Sequence, residues 1–176
     1  MSIHAFVDES QRERYMICAA FIAPADLRTA RRALREMLLP RQSRLHFVSE
    51  SRQRRRSLLD AMCELPVRTR LYTSAEKEPV ARQRAFEALF ADLLALKGQR
   101  LVIECREASQ DDRERRLIAQ AVRQGAAPTD LSYCHLRGRE EPLLWVADAV
   151  AWAYGASREW RLRAHALIGH VQEVDK

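Results

Sequence analysis

The sequence contains nothing close to the roughly 18 consecutive apolar residues of a membrane span. Near Met1 there is no basic segment followed by an apolar core, so no secretory leader is expected and a cytoplasmic location is. The four cysteines, Cys18, Cys63, Cys105 and Cys134, are scattered and form no Cys-x-x-Cys pair. Their spacing argues against zinc and against a disulfide framework, and leaves buried free thiols as the reading. Lysine is scarce: only Lys77, Lys97 and Lys176 stand among 30 basic residues. An arginine-rich and alanine-rich chain follows from GC-rich coding as readily as from phosphate binding, so arginine preference alone does not define a partner. No internal repeat, low-complexity tract or linker is visible. The 176 residues suit a single domain, with a core over about residues 3–156 and a further helix or tail over 157–176.

What is present is an ordinary globular composition, 47% hydrophobic and 31% charged, with a formal net charge of +6. A basic surface fits a polyanion such as nucleic acid.

The stretch Ile3-His4-Ala5-Phe6-Val7-Asp8-Glu9-Ser10 reads as a strand that meets two acids. Either the strand ends there and the acids belong to a turn, or Asp8 lies at a sheet edge and binds a metal ion. Tyr15 to Ile22 is almost wholly apolar, as for a strand covered on both faces and paired antiparallel with the first. A helix is expected from about Leu27 to Leu39, and another from Ser49 or Ser51 to about Glu64. Between them lies the apolar connector Arg44-Leu45-His46-Phe47-Val48. Arg52, Arg54, Arg55 and Arg56 open the second helix and oppose its macrodipole, which hints at an anion-binding surface for nucleic acid. Val67 to Thr73 alternates like a strand, Ala81 to Lys97 reads as a helix, and Arg100 to Cys105 is a buried strand carrying Glu104. A shorter helix from Asp111 to Gln124, a strand over Leu131–Leu136 and a helix from Glu140 to Tyr154 follow. The pattern is an α/β domain of about five strands that opens with an antiparallel hairpin.

Leu143 to Tyr154 is the most apolar stretch and holds one charge, Asp148. An ionised carboxylate in such surroundings costs several kcal/mol unless it is paired, so Asp148 is either in a buried ion pair with an arginine or a metal ligand. Glu141 lies two turns earlier on the same helical face. Neighbouring strands are about 4.8 Å apart, so two strand acids and one from a helix across them can reach the same cation. Oxygen-only ligand sets suit Mg2+ or Mn2+.

Four segments resemble the family called domain of unknown function 3800, whose members have an RNase H-like fold. They are Phe6-Val7-Asp8-Glu9-Ser10, the apolar strand Tyr15–Ile22, Leu45-His46-Phe47, and Leu144-Trp145-Val146-Ala147-Asp148. The resemblance implies a five-stranded mixed sheet flanked by helices. It also implies carboxylates on the first strand, the fourth strand and the last helix, at Asp8, Glu104 and Asp148, with His46 near the site. It further implies a divalent-metal-dependent nuclease of the kind found among bacterial mobile elements and defence systems. Asp8, Glu104 and Asp148 would be the metal ligands and His46 would contact phosphate or move protons, with Glu9 and Glu141 as auxiliaries. This chain departs from the family's pattern at Gln11 (usually Gly), Arg44 (often an acid), Trp145 (commonly Gln) and Glu104 (commonly Asp). The alternative implied is a catalytically degenerate nucleic-acid-binding or protein-interaction module of the same fold, including a homodimer through the Trp-rich last helix. Because strand side chains alternate, Asp8 and Glu9 are expected on opposite faces, with Asp8 toward the last helix.

Overall fold

A computed structural model describes residues 2–175. Strand β1 (Ile3–Gln11) turns through three residues into β2 (Tyr15–Ile22), and the two pair antiparallel from His4↔Ile22 to Gln11↔Tyr15. The strand therefore runs past the two acids rather than ending at them. Every residue of β2 is buried, and its ladder holds β1 in register through the polar Ser10 and Gln11.

Strand β3 (Arg68–Ser74) adds antiparallel to β2, and β4 (Gly98–Glu104) adds parallel to β1. Strand β5 (Ser132–Leu136) lies parallel to β4. A sixth strand, β6 (Ile168–Glu173), pairs parallel with β3, so the order is β5-β4-β1-β2-β3-β6. The expectation of five strands, with a helix or tail after residue 157, is corrected accordingly. A short helix precedes β6, which then covers the edge that β3 would otherwise expose. The backbone bond from Thr69 N to Leu167 O (2.7 Å) starts that pairing, and Ile168 and Val171 pack onto the core.

The helices are α1 (Leu27–Glu36), α2 (Arg52–Cys63), α3 (Val80–Ala95), α4 (Ala108–Arg123), α5 (Leu143–Ala156) and α6 (Arg158–Arg163). Strand alternation divides the core into two layers. On one face Phe6, Cys18, Leu71 and Val102 meet Leu34 of α1, Leu59 of α2 and Val146 and Val150 of α5. On the other, Val7, Ile17, Tyr72 and Ile103 meet Phe86 and Leu89 of α3 and Ile118 of α4. Helix α5 packs on β1, β2 and β3. Its tryptophans are spent within the chain: Trp145 is buried, and the Trp152 ring lies edge-on to both Phe47 and Trp160. A homodimer through that helix would have to use a face on which the Trp152 ring already contacts Phe47 and Trp160 of the same chain. No helix among the described residues is long and apolar enough to cross a membrane.

Candidate carboxylate site

The register of β1 and β4 builds the site. Val7 is opposite Ile103, so Asp8 and Glu104 are the next residues along two adjacent parallel strands. Both acids point to the α5 face, and α5 brings Asp148 over the same region. Burial pushes the Asp8 carboxyl well above the usual range, and the Glu104 and Asp148 carboxylates beside it push in the same direction. Glu104 is close enough to share a hydrogen-bonding proton with Asp8, while the Glu9 N–H donates to Asp8 Oδ1 at 2.8 Å. Asp8 is the central member, acted on by both others. The trio does not contract to a group with one oxygen from each within 4.8 Å of the rest.

The connector between α1 and α2 supplies the rest of the rim. The Phe47 N–H donates to Asp148 Oδ2 at 2.8 Å, and the preceding His46 places Nδ1 3.7 Å from the same oxygen. Asp148 draws the His46 pKa upward against partial burial. Arg44 Nη1 donates to Glu104 Oε1 at 3.0 Å, and Arg44 Nη2 lies 3.0 Å from His46 Nδ1. A neutral His46 accepts from Arg44, whereas a protonated one turns its Nδ1–H toward Asp148. Behind the rim, Arg55 donates to the carbonyls of Phe47 and Val48 and stacks over Trp152 at 4.3 Å. The carboxylates of β4 and α5 are thus tied to one connector, Glu104 through Arg44 and Asp148 through Phe47.

Glu9 faces the opposite layer. It accepts from Arg82 Nη2 (2.6 Å) and from the Tyr15 hydroxyl (2.8 Å), and pairs with Arg106. Arg82 is itself buried and continues to Glu114 Oε1 at 3.2 Å; Glu114 Oε2 meets His135 Nε2 at 2.7 Å. Asp111 completes the group, accepting from the Cys105 thiol and the Arg106 N–H. The oxygens of Asp111 and Glu114 and a nitrogen of His135 lie within 4.8 Å of one another, a spacing that could hold a metal ion. This cluster was not singled out from sequence. Its signal was the pair of acids at i and i+3 in line with Ile118, on a helix face that must be buried.

Two further groups of candidate residues make ion pairs within the chain. Glu141 precedes α5 instead of sharing its face, and is buried in a bidentate pair with Arg31 of α1. The α2 arginines are engaged within the chain: Arg52 and Arg56 both pair with Glu159, and Arg54 bonds Glu50 and the Met37 carbonyl. With Arg55 on the connector, all four lock α2 to its surroundings. Ser51 caps that helix by accepting from Arg54 N–H, which offsets part of the unfavourable charge at its start.

Comparison with solved structures bears on the fold. It is similar to the RNase HII of Archaeoglobus fulgidus, solved in a PCNA:RNase HII complex. The TM-score is 0.56 at 15% identity, covering 94% of this chain and 76% of that one. The fold is RNase H-like, with a six-stranded sheet flanked by helices. No protein-family model matches the chain, and comparison with curated proteins gave no match.

Proposed function

We propose that this protein is a divalent-metal-dependent nuclease, a divergent relative of the domain of unknown function 3800 family, acting through Asp8, Glu104 and Asp148. The observation that carries the reading is the convergence of these three acids from β1, β4 and α5 on one face of an RNase H-like sheet. The donor set fits a hard cation. Burial, with the Glu104 and Asp148 carboxylates adding to it, makes Asp8 hold its proton above the usual range, and a cation bound there would offset both effects. Mg2+ or Mn2+ bound there would activate a water and stabilise the leaving oxygen of a phosphodiester.

The chain's own residues do the rest. Asp8 and Asp148 offer the ligand oxygens, and the Phe47 N–H fixes the orientation of Asp148. His46 is half exposed at the rim and can exchange a proton with the substrate or contact its phosphate. Arg44 presents positive charge to an incoming anion, and the net charge of +6 favours encounter with nucleic acid. The test is incubation of the purified chain with single- and double-stranded DNA and RNA, with Mn2+ or Mg2+ and with EDTA. Cleavage is expected with the ion, none with EDTA, and at least a hundredfold loss in Asp8→Asn. Ion-dependent turnover that Asp8→Asn leaves unchanged overturns the assignment.

A second ion position is favoured by one observation, the compact Asp111–Glu114–His135 group on the other face. It borders a cavity of about 310 Å3 between α3 and α4 that includes Arg82 and Glu114 in its wall. Retention of Mn2+ binding in Asp8→Asn, with loss in His135→Gln, would favour that position.

A further inference from the structure

We infer that Arg44 is a built-in cation of the carboxylate site, so that the site takes one divalent ion, on Asp8 and Asp148, where three free carboxylates would take two. This rests on the reading of Asp8, Glu104 and Asp148 as the ion site.

The argument begins with charge. Arg44 carries a permanent positive charge, since guanidinium does not lose its proton in proteins. It lies 3.0 Å from Glu104 Oε1, and Glu104 is largely buried, so the pair is screened less than an exposed one. One divalent ion together with Arg44 balances the three carboxylates. A second ion would leave two positive charges in excess in a partly desolvated cleft, and its nearest free ligand, Glu104, is already engaged.

The second line is steric and independent of charge. Gly138, in the loop between β5 and α5, lies against this pair: a Cβ added there would stand 2.9 Å from both Arg44 Nη1 and Glu104 Oε1. The chain backbone thus closes over the side of Glu104 where Arg44 sits. The loop is pinned from below, because the buried Trp145 donates its indole N–H to the Gly138 carbonyl at 2.5 Å. When His46 is neutral, its Nδ1 also accepts from the other terminal nitrogen of Arg44. Arg44, Gly138 and Trp145 therefore form one device: the arginine supplies the charge, the glycine makes room for it, and the tryptophan holds the glycine in place.

A consequence for substrate follows. A guanidinium takes phosphate oxygens through directed hydrogen bonds, whereas an ion takes them by coordination. The Arg44 donors not spent on Glu104 and His46 are the groups that would meet the phosphodiester.

The experiment is Mn2+ titration of the full chain, read as free Mn2+ by electron paramagnetic resonance, with no substrate. All proteins carry His135→Gln so that an ion on the other sheet face is not counted. The Arg44-bearing protein is expected to bind one Mn2+, and Asp8→Asn none. Arg44→Gln and Arg44→Glu are expected to bind two, more tightly for Glu. Gly138→Ala keeps every charge but pushes Arg44 from Glu104, and is expected to admit a second ion weakly. Two ions with Arg44 in place, or a single ion at unchanged affinity in the Arg44 and Gly138 variants, overturns the inference while leaving the ion site standing. No ion on the Arg44-bearing protein overturns both.

Discussion

The backbone N–H of Phe47 donates to the carboxylate of Asp148 at 2.8 Å, across 101 positions of sequence. The bond ties the connector carrying Arg44 and His46 to the helix carrying the acid. The Phe47 ring then packs edge-on against Trp152, one turn further along that helix, at 5.3 Å between centroids. Asp148 is thus held by its neighbours before any ligand arrives, and His46 is placed by the same contact.

His46 should report on Asp148. Its pKa is raised, with the Asp148 carboxylate as the main cause, so the protonated form is favoured in the folded chain. The associated stability is fully present below the ordinary histidine range near 6.5 and is lost as pH rises through the raised value. In nuclear magnetic resonance titration, His46 is expected to titrate above 6.5. In Asp148→Asn its midpoint should fall. A midpoint that does not move would show that Asp148 is not the group responsible.

Asp8 should cost stability. Its folded pKa lies above the ordinary aspartate value, so the folded chain favours the protonated form. The favourable contribution exists at low pH and is lost as pH rises from the usual aspartate range through the raised value, leaving a penalty near neutrality. Asp8→Asn, measured in EDTA at pH 7, is expected to raise the Tm by about 3 °C or more, given that 1 kcal/mol corresponds to about 2–4 °C at this chain length. With His135→Gln in the background to remove the Asp111–Glu114–His135 group, adding Mn2+ should raise the Tm of the chain bearing Asp8 and not that of Asp8→Asn. An Asp8→Asn chain less stable in EDTA would mean that Asp8 is a structural ion-pair residue.

Arg82 should be a stability residue. It is buried and binds Glu9, Glu78 and Glu114 together. Replacing it with Met takes from Glu9 and Glu114 their shared buried cation, leaving Glu9 to Arg106 and Tyr15 and Glu114 to His135, at a cost of about 3 kcal/mol. Chemical denaturation is expected to show that loss without a change in the slope m. A loss below about 1 kcal/mol would mean that water reaches those acids freely.

Arg52 and Arg56 should matter little to stability. Both pair with Glu159 in exposed positions, where such pairs contribute about 0–1 kcal/mol. If nucleic acid displaces Glu159 from them, the double Ala variant should bind more weakly on every sequence tested. The slope of log K against log salt should then fall by about 2. Unchanged binding and slope would confine these arginines to holding α2 against α6.

The sequence alone carried the features that depend on near neighbours. Strand alternation separates Asp8 from Glu9 because successive side chains leave a strand on opposite sides, and β1 runs extended through both. The unbroken apolar run of β2 predicts a strand covered on both faces, and each of its residues is buried. The acids at β4 and α5 were visible as single charges in apolar surroundings.

Partners far apart in the chain were not legible. Arg44 meets Glu104 across 60 positions and Glu9 meets Arg82 across 73, and no local periodicity encodes such a choice among 30 basic residues. Glu141 fits the helical spacing of Asp148, yet Arg31 claims it just before the helix begins. The last strand was missed because Ile168–Glu173 lacks the apolar run of a central strand and becomes one only where the edge of β3 offers its unpaired backbone. Local pattern thus decided which residues lie inside and which way they point. Tertiary packing decided which charges meet, because Coulombic pairing depends on distance in space and the fold alone sets that distance.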